Sequence, residues 1–333
     1  MTAVPALDQR SRQVLLSVIA EYVETGEPVG SRAIARRHIR GLSPATIRNA
    51  MADLEEMGYL VQPHTSAGRV PTDAAYRFYV DHLQRVPWVA GQAPAVGQAA
   101  VVPHADVAER LMAETPARLS SGTHMMGVLL APPLKHTALD RIELVALDEE
   151  RALAVLVTET GWVTARPLTA APRGGTEELR EMGRALTRPA DPLEPLWTRG
   201  RDVLDELVAL LRDRTLYISG ATNMLDHPDL SDTTTLRSML RAFEDKARLI
   251  DLLSRMAEER GLHVMIGSEN PVEEMRGCSL ITSTYSYRDQ VLGVLGVVGP
   301  RRMPYTEVMS IVDEAARLVS NSLSRVKQQL YLP

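Results

Sequence analysis

Arg48 and Asn49 stand side by side in SPATIRNAMADLEEMG, residues 43–58. An arginine can fork onto the O6 and N7 acceptors of guanine, and an asparagine amide can pair with the equivalent edge of adenine. At about 100° per residue, Ile47, Ala50, Met51, Leu54 and Met57 fall in one broad arc, the expected core face of a helix. The opposite arc carries Ala45, Arg48, Asn49 and Ala52, with Glu56 at its far end. Small residues at 45 and 52 would let the helix come close to base edges. The candidate base-reading set is therefore Ala45, Thr46, Arg48, Asn49 and Ala52. The charge order fits this chemistry. The cation lies early and Asp53, Glu55 and Glu56 lie late, the reverse of what the helix dipole favours in isolation. A polyanion at the amino end, where a helix offers free N–H groups, accounts for that order. The competing reading is an ordinary solvated helix with Arg48 paired to an acid one turn along.

The elements that would position this helix read as a small domain. LDQRSRQVLLSVIAEYVETG carries Val14, Leu15, Val18, Ile19, Tyr22 and Val23 on one stripe and stops at Gly26. SRAIARRHIR follows, with four arginines and no acid; Ser31 suits its N-cap and Gly41 its end. Ser43 then caps the reading helix, Pro44 suits its first turn and Gly58 its left-handed exit. YLVQPHTSAGRVPT predicts a strand, a turn and a return strand, and TDAAYRFYVDHL a further capped helix. Three helices and a hairpin, in that order, predict a winged helix-turn-helix over residues 1–85. Arg32, Arg36, Arg37 and Ser43 are candidate phosphate contacts. His64, Thr65, Ser66 and Arg69 in the hairpin would touch phosphate or minor groove, unless it is a plain surface hairpin.

Bulk properties narrow the classes. The chain has 333 residues, 45% of them hydrophobic, enough for two or three packed domains. It has no apolar run of transmembrane length and no secretory signal pattern, and its single cysteine excludes a disulfide framework. A cytoplasmic protein with no membrane partner is expected. Net charge is −5, yet residues 1–90 hold 10 Lys+Arg against 9 Asp+Glu while the remainder holds 27 against 33. Any nucleic-acid surface is then a local patch near the amino end.

Residues 86–104, rich in Ala, Pro, Gly and Val, read as a linker. Beyond it, strand-like MMGVLLA, RIELVAL and ALAVLVTETGWVTARPL precede a polar helical stretch. TLYISG, HVMIG, CSLITSTYSY and QVLGVLGVVG supply further strands. TLRSMLRAFEDKARLIDLLSRMAEERG reads as one long amphipathic helix, and a last helix carries Val308, Ile311, Val312, Ala315, Leu318, Val319 and Leu323. The pattern predicts an α+β domain carrying an insertion. No catalytic constellation stands out, and neither a cofactor nor a metal is expected. The eight histidines lack ligand spacing. GVLGVVG lacks the Walker lysine, Ser219 lacks a nucleophile elbow, Cys278 suits a small buried hydrophobe and GSEN suits a turn.

ATIRNAMADLEEMGYLVQPHTSAGRVPTDAAYRFYVD closely resembles the amino-terminal signature of the bacterial heat-inducible transcription repressors of the HrcA family. The resemblance continues through LYISGATNML, IGSEN, CSLITSTY and GVLGVVGPRRMPY, in order, over nearly the whole chain. Ala50 stands where the family pattern carries an acid, and Ala74–Ala75 replace a Lys-Gly-like pair. The resemblance implies an α+β multidomain protein: a winged helix, a GAF-like domain in two segments (105–170 and 250–333) and an inserted dimerising domain (171–249). It also implies a homodimer repressing chaperone operons through an inverted repeat in double-stranded DNA, the CIRCE operator. The chaperonin GroEL would keep it active. A winged-helix regulator controlled by a small ligand of the GAF-like domain is the alternative.

Overall fold

The computed structural model describes residues 7–64, 67–85, 107–132, 139–148, 151–158, 163–169, 175–187, 202–203, 205–206, 214–224, 227, 229, 241, 243, 245–288 and 290–330. The expected linker at 86–104 and the hairpin residues Thr65 and Ser66 lie outside these.

Helices α1 (Gln9–Thr25), α2 (Ser31–Arg37) and α3 (Pro44–Glu56) precede a two-stranded hairpin, β1 (Leu60–Val61) and β2 (Val70–Pro71), and helix α4 (Asp73–Arg85). Local chemistry sets each boundary. Asp8 caps α1 by accepting the Ser11 N–H at 2.7 Å, and Gly26 closes it with φ of 71° while donating to the Tyr22 carbonyl. Gly30, rather than Ser31, is the N-cap of α2, which stops at Arg37 before reaching Gly41. Ser43 caps α3 through the Thr46 N–H at 3.1 Å, Pro44 occupies its first turn, and Gly58 leaves with φ of 80°. Ile47, Ala50, Met51 and Leu54 are buried, but Met57 is 47% exposed. Met57 is the C-cap, one position past the last helical residue, so the stripe ends before reaching it. Val29 exchanges both backbone hydrogen bonds with Arg69 at 2.9 Å, an isolated antiparallel bridge beside the hairpin.

The second domain is built on an antiparallel five-stranded sheet. Its strands are β3 (Met126–Leu130), β7 (Leu216–Ser219), β8 (Leu262–Ile266), β9 (Cys278–Tyr287) and β10 (Gln290–Pro300), in the order β7-β3-β10-β9-β8. Alternation divides the strands between two cores. Met126, Val128, Leu130, Val294 and Val298 pack with Leu249, Leu252, Leu253 and Met256 of helix α7 (Lys246–Met256). Leu129, Ile281, Leu295 and Val297 share the other core with α5 (Val107–Thr123) and α8 (Tyr305–Leu330). The glycines of GVLGVVG serve close packing, as their spacing in an apolar run implied. A Cβ on Gly293 would collide with the Leu130 carbonyl, and one on Gly296 with that of Ile281. The expected long helix before Gly261 is interrupted, because Asp245 has non-helical ψ of 74° and caps α7 by accepting the Arg248 N–H.

Strands β4 (Leu139–Ala146), β5 (Ala152–Thr158) and β6 (Val163–Leu168) form a separate three-stranded antiparallel sheet with helix α6 (Gly175–Thr187) against it. These described elements lie in sequence between β3 and β7, and those two strands pair in the larger sheet. This moves the insertion relative to the sequence expectation, which assigned 105–170 to the larger domain and began the insertion at 171. Apolar strands read alike whichever partner they take; only pairing separates them.

Candidate nucleic-acid interface

The amino end of α3 is presented rather than buried. Ala45, Arg48 and Asn49 are exposed, while Thr46 and Ala52 are half-buried on its flanks. Ser43 Oγ accepts the Thr46 N–H and lies 2.9 Å from Thr46 Oγ1, so both hydroxyls are engaged in the cap. Arg48 and Asn49 have no hydrogen-bond or ion-pair partner among the described residues. The ion pair one turn along that the competing reading expected for Arg48 is absent among the described residues. Glu55 turns instead to Arg69 of the hairpin, at 2.8 Å. One of the late acids in α3 thus anchors the wing, a role that a single-helix view of the charges could not reveal.

The arginines of the preceding helix divide into two kinds. Arg32 and Arg36 are exposed and unpartnered among the described residues, and so is Arg40 in the turn before α3. Arg37 is different. Its guanidinium holds Glu21 of α1 at 2.8 Å, and His38 Nε2 reaches the other oxygen of that carboxylate, also at 2.8 Å. Glu21 is buried, so this cluster ties α1 to the end of α2. Its sequence signal was present: Glu21 lies seven residues after Val14 and three after Val18, on the buried side of α1. Arg37 still exposes 57% of its side chain.

In the hairpin, His64 is exposed, while Arg69 is committed to Glu55 and its backbone to Val29. The surface built here combines a free arginine and asparagine on a helix start with free arginines beside it. That arrangement can meet base edges and phosphates. Among the described residues no group of three or more His, Cys, Asp or Glu could hold a metal, and no helix is long and apolar enough to cross a membrane. Cys278 is buried, and burial pushes its thiol up to about 12, far from the range of a nucleophile.

The segments that sequence alone left without a role meet at the junction of the two domains. Arg77 of α4 forms an ion pair with Glu269 of GSEN and also donates to the carbonyl of Val264 on edge strand β8. The bond to Glu269 raises the Arg77 pKa, against the opposing effect of burial. Asp73 accepts the Ser268 N–H at 2.9 Å and pairs with Arg301 at 3.1 Å. Gly267, at φ of 51°, leaves no room for a side chain beside that carboxylate. Asn270 stitches the turn from within, donating to the carbonyls of Gly267, Met275 and Cys278.

Comparison with known proteins matches both halves of this architecture. A family model described as the winged helix-turn-helix transcription repressor, HrcA DNA-binding, covers residues 6–83, and one described as the HrcA protein C terminal domain covers 109–309. Heat-inducible transcription repressors HrcA are similar over nearly their full length. That of Geobacter sulfurreducens is 40% identical, covering 95% of this chain and 98% of its own. That of Syntrophobacter fumaroxidans is 36% identical (95% and 97%), and that of Moorella thermoacetica 35% (98% and 99%). A crystal structure described only as a hypothetical protein shares the fold, with a TM-score of 0.69 at 24% identity, covering 96% of this chain and all of that one. A winged helix with the start of α3 exposed, joined to a second domain, is the architecture that both family models cover, and the chain belongs to the HrcA family of heat-inducible transcription repressors.

Proposed function

We propose that the chain represses chaperone operons as a homodimer, with one α3 helix in the major groove of each half-site of an inverted-repeat CIRCE operator. The observation that carries this reading is the unpartnered pair Arg48 and Asn49 at the exposed start of a helix whose other face is core. Ala45, Thr46 and Ala52 flank that pair and define the closest approach to the bases. Arg32, Arg36 and Arg40 meet phosphates, with Ser43 and the exposed part of Arg37 beside them. His64, Thr65 and Ser66 extend the contact along the wing. Arg69 acts indirectly, holding the wing against α3. One winged helix makes a small footprint, and a two-fold dimer on a palindrome is the usual route to specific affinity.

Release on heating needs no chemical step. Control of the population of folded, binding-competent dimer is enough, and assistance by the chaperonin GroEL raises that population. Its place of action is the cytoplasm. Footprinting on the upstream region of a chaperone operon from the same genome tests the reading: protection of two symmetric half-sites is expected. Protection of neither, with binding no tighter than to random duplex, would overturn it.

A further inference from the structure

Among the described residues, hydrogen bonds, ion pairs and ring contacts join α1 and α4 of the winged helix to the larger domain. At one edge Arg77 and Asp73 of α4 engage Glu269, the Ser268 N–H and Arg301. At the other, Arg302 donates to the Val23 carbonyl in the last turn of α1, and its guanidinium packs beneath Gly26. Arg302 is itself fixed by a two-pronged pair with Asp229, at 2.7 and 3.0 Å. Between the two clamps, Tyr76 lies tilted and Tyr79 edge-on against Tyr305, with ring centroids 5.7 and 6.5 Å away. Tyr305 is locked in turn: its hydroxyl donates to the Arg301 carbonyl at 2.7 Å and accepts from Ser279 at 2.9 Å.

Two polar clamps either side of an aromatic contact restrain rotation as well as separation. Among the described residues, these side chains hold the angle between α4 and the larger domain. We infer that Arg77, Asp73 and Arg302 are positioning residues, fixing the direction in which α3 leaves the body of the molecule. In a dimer they thereby set which half-site spacing the operator must have. This rests on the proposed inverted-repeat reading. Two sites are engaged together only if the linkage between them spans the separation at the right angle. A winged helix held rigidly gives a sharp spacing optimum, and one held loosely gives a flat profile.

The test uses the full chain and a double variant, Arg77→Gln with Arg302→Gln. Operator duplexes carry half-sites at the natural separation and at separations changed by one to three base pairs, and a single half-site serves as reference. The parent should bind the natural spacing best. The variant should match the parent on the single half-site but lose about tenfold or more of its discrimination among spacings. An unchanged spacing profile would overturn the inference, and so would an equal loss on the single half-site, which would place these residues in the folding of the winged helix itself. Should the double variant lose helix content, Glu269→Gln alone tests the same clamp.

If the parent shows no preference for an inverted repeat over a single half-site, the operator reading fails by itself. The positioning role is then decided without DNA, by spin labels on Arg10→Cys and Arg276→Cys chains diluted with unlabelled protein. A distance distribution broader in the variant supports positioning, and an identical one overturns it. Buried Cys278 does not take label.

Discussion

Arg48 and Arg36 lie about one helix apart in sequence, yet substitution should have different signatures at each. Arg48→Ala is expected to cost about 1–3 kcal/mol on the cognate operator and to relax base preference at one position. A gel shift with unchanged affinity and preference would remove Arg48 from the reading set. Arg36→Ala should weaken binding to every duplex and reduce the slope of affinity against salt by about one. Cys278 offers a check on the core. Its thiol, neutral and buried, has its pKa raised from 9.0 to about 12 by desolvation. That contribution to stability is complete below pH 9 and is lost as pH rises towards 12. Alkylation at pH 8 should label unfolded chain and leave folded chain intact, by mass spectrometry. At this scale the sequence told residue types well and partners poorly. The exposed pair Arg48 and Asn49 was legible from helical spacing, whereas Arg37 with Glu21 and Arg69 with Glu55 join different elements and leave no mark in local periodicity.

Helix α3 is defined by chemistry at its two ends. Removing the Ser43 hydroxyl leaves the Thr46 N–H without its cap, so Ser43→Ala should lower stability by about 1 kcal/mol. Thermal unfolding without DNA isolates this from any phosphate contact, and an unchanged midpoint would mean that the cap contributes nothing. Such signals made the winged helix readable in advance: Ser43, Pro44 and Gly58 mark one helix within sixteen residues, and local rules suffice. The larger domain was less legible. Its strands were found, but RIELVAL and MMGVLLA both read as strands, and only the pairing of MMGVLLA with distant strands, against that of RIELVAL with its neighbour in sequence, assigns them to different sheets. The break at Asp245 was missed for a related reason. The apolar stripe of TLRSMLRAFEDKARLIDLLSRM runs through it without interruption, and only the capping geometry reveals two segments.

At the scale of the molecule, motifs scattered over two hundred residues converge on one junction. In sequence GSEN looked like a turn, and GPRRMPY entered only through the family resemblance. In the fold they grip α1 and α4, so the body of the protein is attached to the DNA-binding module by side chains on both sides of an aromatic contact. The insertion has the opposite character. β3 and β7 are neighbours, with Leu130 opposite Leu216, and the Ala131 N–H donates to the Thr215 carbonyl at 2.9 Å. Exit and re-entry are thus side by side. Replacing residues 132–214 by a tight Asn-Gly turn is expected to splice the two stumps into a hairpin and keep β3 paired with β7. If that appendage carries self-association, light scattering should find the trimmed chain monomeric, and it should grip one half-site while losing the palindrome's advantage.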